Sequence, residues 1–158
     1  MRIEIDLARQ TLKLHDDTRV RREYRVSTGA NGAGEVNGSG CTPRGRHYVR
    51  AKIGGGAAPN TVFVSRRPTG EIWSPQLHQK FPKRDWILTR ILWLSGLERG
   101  RNRFGDVDTM RRYIYIHGTP DETELGKPGS RGCVRMRNAE LIEMCGQIAP
   151  GIEVHLHE

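Results

Sequence analysis

The sequence lacks any long hydrophobic segment. Its longest uninterrupted hydrophobic runs are four residues, as at positions 91–94, and hydrophobic residues make up 35% of the 158 residues. A helix that spans a bilayer needs about 20 consecutive apolar residues, and no heptad pattern persists along the chain. The sequence therefore predicts neither a membrane protein nor a coiled coil. Its length favours one domain over residues 1–158 with a substantial core.

Cysteine is scarce, with single residues at positions 41, 133 and 145. An odd number at irregular spacing does not form a disulfide framework, and there is no CxxC pair of the kind that holds structural zinc. The first 25 residues contain five acidic side chains and no apolar stretch, so no secretory signal is predicted. If Met1 is the true start, we expect a cytoplasmic protein with reduced thiols. A periplasmic location is the alternative.

Positive charge is abundant but is not clustered. Lys and Arg number 26 against 18 Asp and Glu, which gives a formal net charge of +8, and no block of five or more basic residues occurs. A basic surface attracts polyanions and acidic small molecules, whereas nucleic-acid-binding tails usually carry blocks of like charge. The composition favours an acidic substrate over a nucleic acid as partner. A polyanion-binding module without enzymatic activity stays open, and so does the oligomeric state.

Short alternating segments predict a mostly β fold. Apolar residues alternate within residues 2–15, which predicts a hairpin, and a helix is predicted over 139–146 with Asn138 as its cap. Residues 66–85 contain three prolines and are predicted to be irregular, as are residues 95–111. The further predicted strands are 24–27, 48–53, 61–65, 86–94, 112–116 and 152–156.

Four histidines and one cysteine are predicted to have no catalytic or metal-binding role. His155 and His157 form an H-x-H that suggests a metal site, but their strand neighbours face the predicted core, so both are expected to face solvent. His15 and His78 are predicted to lie on the surface. Cys145 is predicted to be a small core residue of the helix. No metal site and no cofactor are expected.

One pair of residues carries a recognisable chemistry. The predicted strand 112–116 runs directly into His117, and the segment SRGC at 130–133 ends in Cys133. The thiolate is the reactive form of cysteine, and a neighbouring imidazole can generate it. Gly132 lets the backbone turn sharply, and backbone N–H groups at this turn can stabilise an oxyanion. From spacing alone, a packed turn cysteine and a loop histidine remain the alternative.

These residues resemble the YkuD-type L,D-transpeptidase catalytic domain family. Residues 117–136, HGTPDETELGKPGSRGCVRM, are similar to the family pattern of His-Gly, a gap, and Ser/Thr-His-Gly-Cys followed by a hydrophobic residue and Arg or Asn. Three further segments match in order, namely the opening hairpin at 5–12, the strand at 26–29 and the Thr-Pro-x-Gly turn at 42–45. The resemblance implies a β-sandwich with one or two short helices next to the active-site cysteine.

The resemblance also implies a role for each matching residue. Cys133 matches the nucleophile, and His117 matches the base that later acts as acid. The Gly118 carbonyl matches the backbone oxygen that orients the imidazole. Arg135 has the position of the motif arginine, which shapes the site or meets a substrate carboxylate. The candidates for substrate binding are Arg135, Ser130, Arg131, Gly132 and His47, the last because it follows the Thr-Pro-x-Gly turn.

Two features depart from the family pattern. Arg131 stands where the family most often has histidine. That position is not the general base, so we expect altered substrate contacts and not a loss of catalysis. Residues 66–111 are longer and more charged than the plain family core, and we expect them to form a lid-like insertion.

The resemblance implies cysteine-dependent acyl transfer on peptidoglycan stem tetrapeptides. Cys133 would attack the carbonyl that joins the L-centre of a diamino acid to the terminal D-alanine, and a thioester would form. Water as acceptor gives an L,D-carboxypeptidase, whereas an amine gives a cross-link. For a cytoplasmic protein we expect a tetrapeptide or muropeptide as partner and hydrolysis in muropeptide recycling. A periplasmic L,D-transpeptidase is the alternative.

Overall fold

A computed structural model describes all of residues 1–158. The chain forms ten strands, two α-helices and one 3-10 turn. In chain order these are β1 (Arg2–Asp6), β2 (Thr11–Asp16), β3 (Arg19–Arg25), β4 (Gly45–Ile53), β5 (Thr61–Val64), β6 (Arg67–Ile72), α1 (Pro75–Lys80), β7 (Ile87–Gly96), the 3-10 turn (Gly105–Val107), β8 (Tyr115–Thr119), β9 (Val134–Arg137), α2 (Asn138–Cys145) and β10 (Glu153–His157).

All ten strands belong to one continuous sheet. Its order is β3-β2-β1-β10-β4-β7-β5-β6, and β8 pairs with β7 and then with β9. Beyond the end of β3, Ser27 pairs with Arg135 of β9 through backbone hydrogen bonds of 3.0 and 2.9 Å. The sheet therefore curls until its β9 edge meets the chain that leaves β3. This curled, mostly β architecture with two helices confirms the predicted fold class.

The core lies inside the curl. A cluster of twenty buried residues draws on eight strands and on α2, and the alternating side chains of β1, such as Ile3 and Ile5, are fully buried in it. Helix α2 contributes Leu141, Met144 and Cys145, so the prediction that Cys145 is a core residue is confirmed. Each fully buried aliphatic side chain stabilises the fold by roughly 1.5–3 kcal/mol. The longest helix has eight residues, and none has the length and apolar character to cross a bilayer.

Strand β7 divides the segment that was expected to be one insertion. Ile87–Gly96 pairs with β4, β5 and β8 and so occupies a branch point of the sheet. Residues 66–111 are therefore not one lid. Residues 67–80 form β6 and α1, where the prolines predicted irregular structure. Pro68 is accepted because β6 is an edge strand, and Pro75 because it opens α1, where the missing N–H costs nothing.

The strand that carries His117 begins later than predicted. Strand β8 starts at Tyr115 and runs through Thr119, whereas the pattern predicted 112–116. Tyr113 has a positive φ of 56°, which interrupts the extended chain just before the strand. His117 therefore lies within a fully paired strand and not in the loop beyond it, and this position fixes the direction of its side chain.

The parallel pair of β1 and β10 supports a prediction about pH. Glu4 on β1 contacts Nε2 of both His15 and His157 at 2.8 Å. The His157 hydrogen bond lowers the Glu4 pKa from 4.5. Burial lowers the His157 pKa, but hydrogen bonds to the Glu158 carbonyl and to Glu4 outweigh it and raise that pKa above 6.5. The raised pKa of His157 stabilises the fold fully below pH 6.5, and this stabilisation is lost as pH rises through the raised pKa. The lowered pKa of Glu4 stabilises the fold above pH 4.5, and this stabilisation is lost as pH falls through the lowered pKa.

We therefore expect His157→Gln to lower the unfolding free energy most between about pH 4.5 and 6.5, by up to about 1 kcal/mol, and least at pH 9. Denaturant unfolding at a series of pH values measures the difference. His155→Gln is the matched control, since His155 is an exposed residue of the same strand. A loss for His157→Gln that is equal at every pH would contradict the prediction.

Candidate active site

The two motif residues lie on one face of a parallel strand pair. Strands β8 and β9 place Ile116 beside Val134 and His117 beside Arg135. Ile116 and Val134 are fully buried in the core. Because successive side chains of a strand point to opposite faces, His117 and the residue just before Val134, Cys133, lie on the other face. The sheet thus brings the predicted nucleophile and base together as diagonal neighbours.

The hydrogen bonding of His117 fixes which ring nitrogen can act as a base. Its Nδ1 lies 2.7 Å from the Gly118 carbonyl oxygen, which only accepts hydrogen bonds, so Nδ1 carries the proton in the neutral ring. The imidazole is 1% exposed, and its Nε2 has no protein partner. Burial lowers the His117 pKa and keeps the ring neutral. Nε2 therefore offers a free lone pair.

Cys133 is held as a thiol in this arrangement. Its Sγ donates to the Tyr113 carbonyl at 3.4 Å and accepts from the Tyr115 N–H at 3.3 Å. Desolvation of the sulfur raises its pKa to about 12. The thiolate must therefore form by transfer of the proton to a base at the moment of reaction, since spontaneous ionisation near neutral pH is rare.

The turn that presents Cys133 is braced from two sides. Gly132 has a φ of +124°, and a side chain there would lie 3.1 Å from the Cys41 carbonyl oxygen. Thr42 of the Thr-Pro-x-Gly turn donates to the Gly132 carbonyl at 2.8 Å. Ser130, which is 4% exposed, accepts from the Gly132 N–H at 3.1 Å and donates to the Cys133 carbonyl. Ser130 and Gly132 thus shape the turn, and the Gly132 N–H is already engaged.

Gly118 is surrounded by a buried polar network. A Cβ at this position would overlap the Asn138 Oδ1 and lie 2.5 Å from the Leu88 carbonyl oxygen. Asn138 accepts from the Thr89 hydroxyl at 2.7 Å and donates to the Asn60 side chain at 2.9 Å. The cap of α2 is Arg137, which makes no side-chain capping bond, so the predicted capping role of Asn138 is wrong. Its side-chain oxygen instead packs directly against Gly118.

Both motif arginines contact the segment 81–86 that precedes β7. Arg131 donates to the Lys83 carbonyl at 2.9 Å. Arg135 donates to the Asp85 carboxylate at 3.3 Å and to the Gly129 carbonyl at 3.0 Å, while its Nε has no partner. Arg135 is therefore already paired with a carboxylate, which a substrate carboxylate would have to displace.

A cavity of about 480 Å³ opens beyond His117 on this face, and neither His117 nor Cys133 is among its lining residues. Thr119, two residues beyond His117 on the same face, and Arg135 form its near wall. His78, predicted to lie on the surface, also lines this cavity. Its Nδ1 accepts a hydrogen bond from the Trp86 indole at 3.0 Å. The lining includes Trp73, His78, Arg84, Trp86, Thr119 and Arg135.

Comparison with known proteins identifies the family. The model of YkuD, the L,D-transpeptidase catalytic domain, matches residues 1–156. The chain belongs to this family. The YkuD protein of Bacillus licheniformis is 35% identical over 46 residues, which are 29% of this chain and 28% of that protein. The YkuD protein of Bacillus subtilis is 34% identical over 47 residues, 30% of this chain and 29% of that one. The chain thus matches less than a third of the length of either relative.

Solved L,D-transpeptidases share the fold of this YkuD domain. A fragment of the Xylanimonas cellulosilytica enzyme aligns with a TM-score of 0.56 and 23% identity, over 98% of this chain and 59% of the other. An Enterococcus faecium L,D-transpeptidase aligns with a TM-score of 0.59 and 17% identity, over 99% and 49%. At such identities the likeness concerns the fold.

The structure does not bring His47 to the site of this YkuD domain. His47 is fully buried on β4, with Nδ1 3.0 Å from the Gly45 carbonyl and Nε2 2.8 Å from the Thr109 hydroxyl. Burial lowers its pKa to about 4. Both nitrogens are occupied, so the expected contact with substrate is not available. The Thr-Pro-x-Gly turn reaches the site through Thr42 instead.

Sequence reasoning missed Asp85 and Asn138 as site residues. Asp85 precedes its partner Arg135 by fifty residues, and neither belongs to a local motif that contains the other. Asn138 directly follows the strand of the Cys133 motif, and its polar side chain at the start of a helix was attributed to capping. Its position directly after a strand whose Val134 and Met136 are buried was the one available signal.

Proposed function

We propose that this YkuD domain catalyses cysteine-dependent acyl transfer on the peptide stems of peptidoglycan. The observation that carries the proposal is the state of His117. Its Nδ1 is tied to the Gly118 carbonyl, and its Nε2 is unpartnered on the face that carries the Cys133 thiol. A neutral imidazole with one free nitrogen beside a thiol is the arrangement that generates a nucleophilic thiolate on demand.

The reaction we propose has two steps. Cys133 passes its proton to His117 Nε2 and attacks the carbonyl carbon between the L-centre of the diamino acid and D-alanine. The C–N bond breaks, His117 returns the proton to the leaving amine, and a thioester remains. The N–H of Cys133 donates to no protein group, so we assign it to the developing oxyanion. In the second step, water loses a proton to His117 and attacks the thioester. The C–S bond breaks, and His117 returns the proton to the Cys133 sulfur, which leaves a carboxylic acid and the free thiol.

The charge of the protein supports an acidic substrate. The formal net charge is +8, and a muropeptide tetrapeptide carries several carboxylates, so long-range attraction would favour their encounter. The cavity beside Thr119 and Arg135 lies within the size range of small-molecule pockets, roughly 300–1,000 Å³. We assign the donor stem to this cavity.

We propose hydrolysis as the main fate of the thioester, which makes the protein an L,D-carboxypeptidase. Segment 81–86 is anchored to both motif arginines, through Lys83 and Asp85, and its Arg84 and Trp86 line the cavity. We infer that a second peptide entering through this cavity would have to pass the segment, whereas water would not. Transpeptidation to an amine is the alternative outcome.

Product analysis with a defined tetrapeptide tests the proposal. We expect purified protein under reducing conditions to release D-alanine from muramyl-tetrapeptide and to leave the tripeptide, with little cross-linked product when an amine acceptor is added. Mass spectrometry of the quenched enzyme should show the acyl adduct on the peptide that contains Cys133. A dominant acceptor adduct would replace hydrolysis by transpeptidation. An intact tetrapeptide with no adduct would remove both.

A cytoplasmic location stays a prediction. A cytoplasmic location would favour a role in muropeptide recycling, because the substrate would then be soluble fragments and not the assembled wall. Cell fractionation with an antibody to the native protein tests it. Recovery in an osmotic-shock fraction would favour a periplasmic role in cross-linking.

A further inference from the structure

Asp85 places a carboxylate at the edge of the active site. It contacts Arg135 Nη2 at 3.3 Å, and the two side chains are only 25% and 19% exposed. Arg135 is the register partner of His117 on the neighbouring strand, and their side chains share a face. Asp85, Arg135 and His117 therefore follow one another across the surface of the sheet.

The charges of this row act on the catalytic histidine. During the proposed reaction His117 becomes an imidazolium at a buried position, where burial and the neighbouring Arg135 cation both oppose its charge. The pKa of His117 is lowered by burial, while the Gly118 carbonyl and the Asp85 carboxylate raise it and Arg135 lowers it again. An unneutralised Arg135 would make it harder for His117 to accept the thiol proton.

Among the groups that face His117 and Arg135, Asp85 is the one carboxylate that can neutralise the Arg135 cation. Strand β9 presents Arg135 to His117, and the turn before it presents Cys133. Strand β7 presents the apolar Ile91 as the register partner of His117. Segment 81–86 contributes Asp85. Helix α2 packs its apolar side chains into the core on the opposite face of the sheet, and its Glu143 contacts Arg22.

We propose that Asp85 is a positioning residue of this active site, which holds and neutralises Arg135 so that His117 can carry the proton of Cys133. The inference rests on the proposed function. It assigns a role in proton transfer to a residue outside the His-Gly and Ser-x-Gly-Cys motifs. It also explains why segment 81–86 is tied to the motif arginine.

A four-protein comparison tests this role in the full chain. NMR titration of the His117 ring is measured for the parent, Asp85→Asn, Arg135→Gln and the double variant. We expect the midpoint to fall in Asp85→Asn by at least about half a pH unit, to rise in Arg135→Gln, and to return near the parent value in the double variant. Asp85→Glu should keep the parent midpoint. A residue that only supports the fold would not give this opposite and compensating pattern.

The pH profile of D-alanine release is the second readout. We expect the acidic limb of the profile to move with the His117 midpoint, and kcat/KM at neutral pH to fall roughly tenfold in Asp85→Asn. An unchanged midpoint in Asp85→Asn, or equal shifts in the single and double variants, would overturn the inference. Because the titration needs no substrate, it still decides the role of Asp85 if the proposed reaction is not observed.

Discussion

Cys133→Ala should abolish D-alanine release, by at least about 10³-fold, and leave the unfolding free energy nearly unchanged. The sulfur is the nucleophile of the proposed reaction, and neither His117 nor water can form the thioester without it. Its two contacts are with the backbone of Tyr113 and Tyr115, and because a thiol is a weak donor and a weak acceptor, their loss costs little stability. Release of D-alanine and denaturant unfolding of the same preparations measure both quantities.

Cys145→Ala is the matched control for this experiment. Cys145 is a free thiol on α2 that is 7% exposed and packed in the core. It has no part in the proposed reaction. We expect full activity and a loss of about 1 kcal/mol of stability. The two variants thus predict opposite patterns. Activity that survives in Cys133→Ala, or falls equally in both, would remove the cysteine mechanism.

Gly118→Ala should lower both stability and activity by large amounts. The added methyl group would overlap the Asn138 Oδ1 and crowd the Leu88 carbonyl. To admit it, β8 must move away from β7 or the Asn138 side chain must leave its bonds with Thr89 and Asn60. Overpacking typically costs 1–3 kcal/mol and a broken buried network adds to this, so we expect a loss of about 3 kcal/mol.

The loss of activity in Gly118→Ala should exceed what unfolding explains. The Gly118 carbonyl holds the His117 tautomer, and a shift of this carbonyl would release the ring. Activity per folded molecule, measured well below the unfolding temperature, should fall at least about tenfold. Gly55→Ala is the control, because Gly55 is exposed and a Cβ there meets nothing within 4 Å. A Gly118→Ala protein with parent-like stability would contradict the close packing described here.

Local patterns in the sequence were enough to predict most of the strands and to single out the cysteine and histidine pair. Alternating apolar residues such as Ile3 and Ile5 predicted a strand, since period-two burial depends only on near neighbours. The residues Cys133 and His117 were singled out because the segments around them resemble a family motif, which is local in sequence. The start of β8 was misplaced because aromatic and β-branched residues favour a strand, while Tyr113 adopts a positive φ that this preference does not predict.

Contacts between residues that are distant in sequence were not predicted and depend on the tertiary structure. The pairing of β7 with three strands turned a supposed insertion into a branch point of the fold. Asp85 meets Arg135, and Asn138 meets Thr89, across about fifty residues each. His47 is buried because β4 lies between β10 and β7. The sequence encodes periodicity and local turn chemistry, but which distant side chains meet depends on strand order and register, which the whole chain settles together by burying its apolar faces.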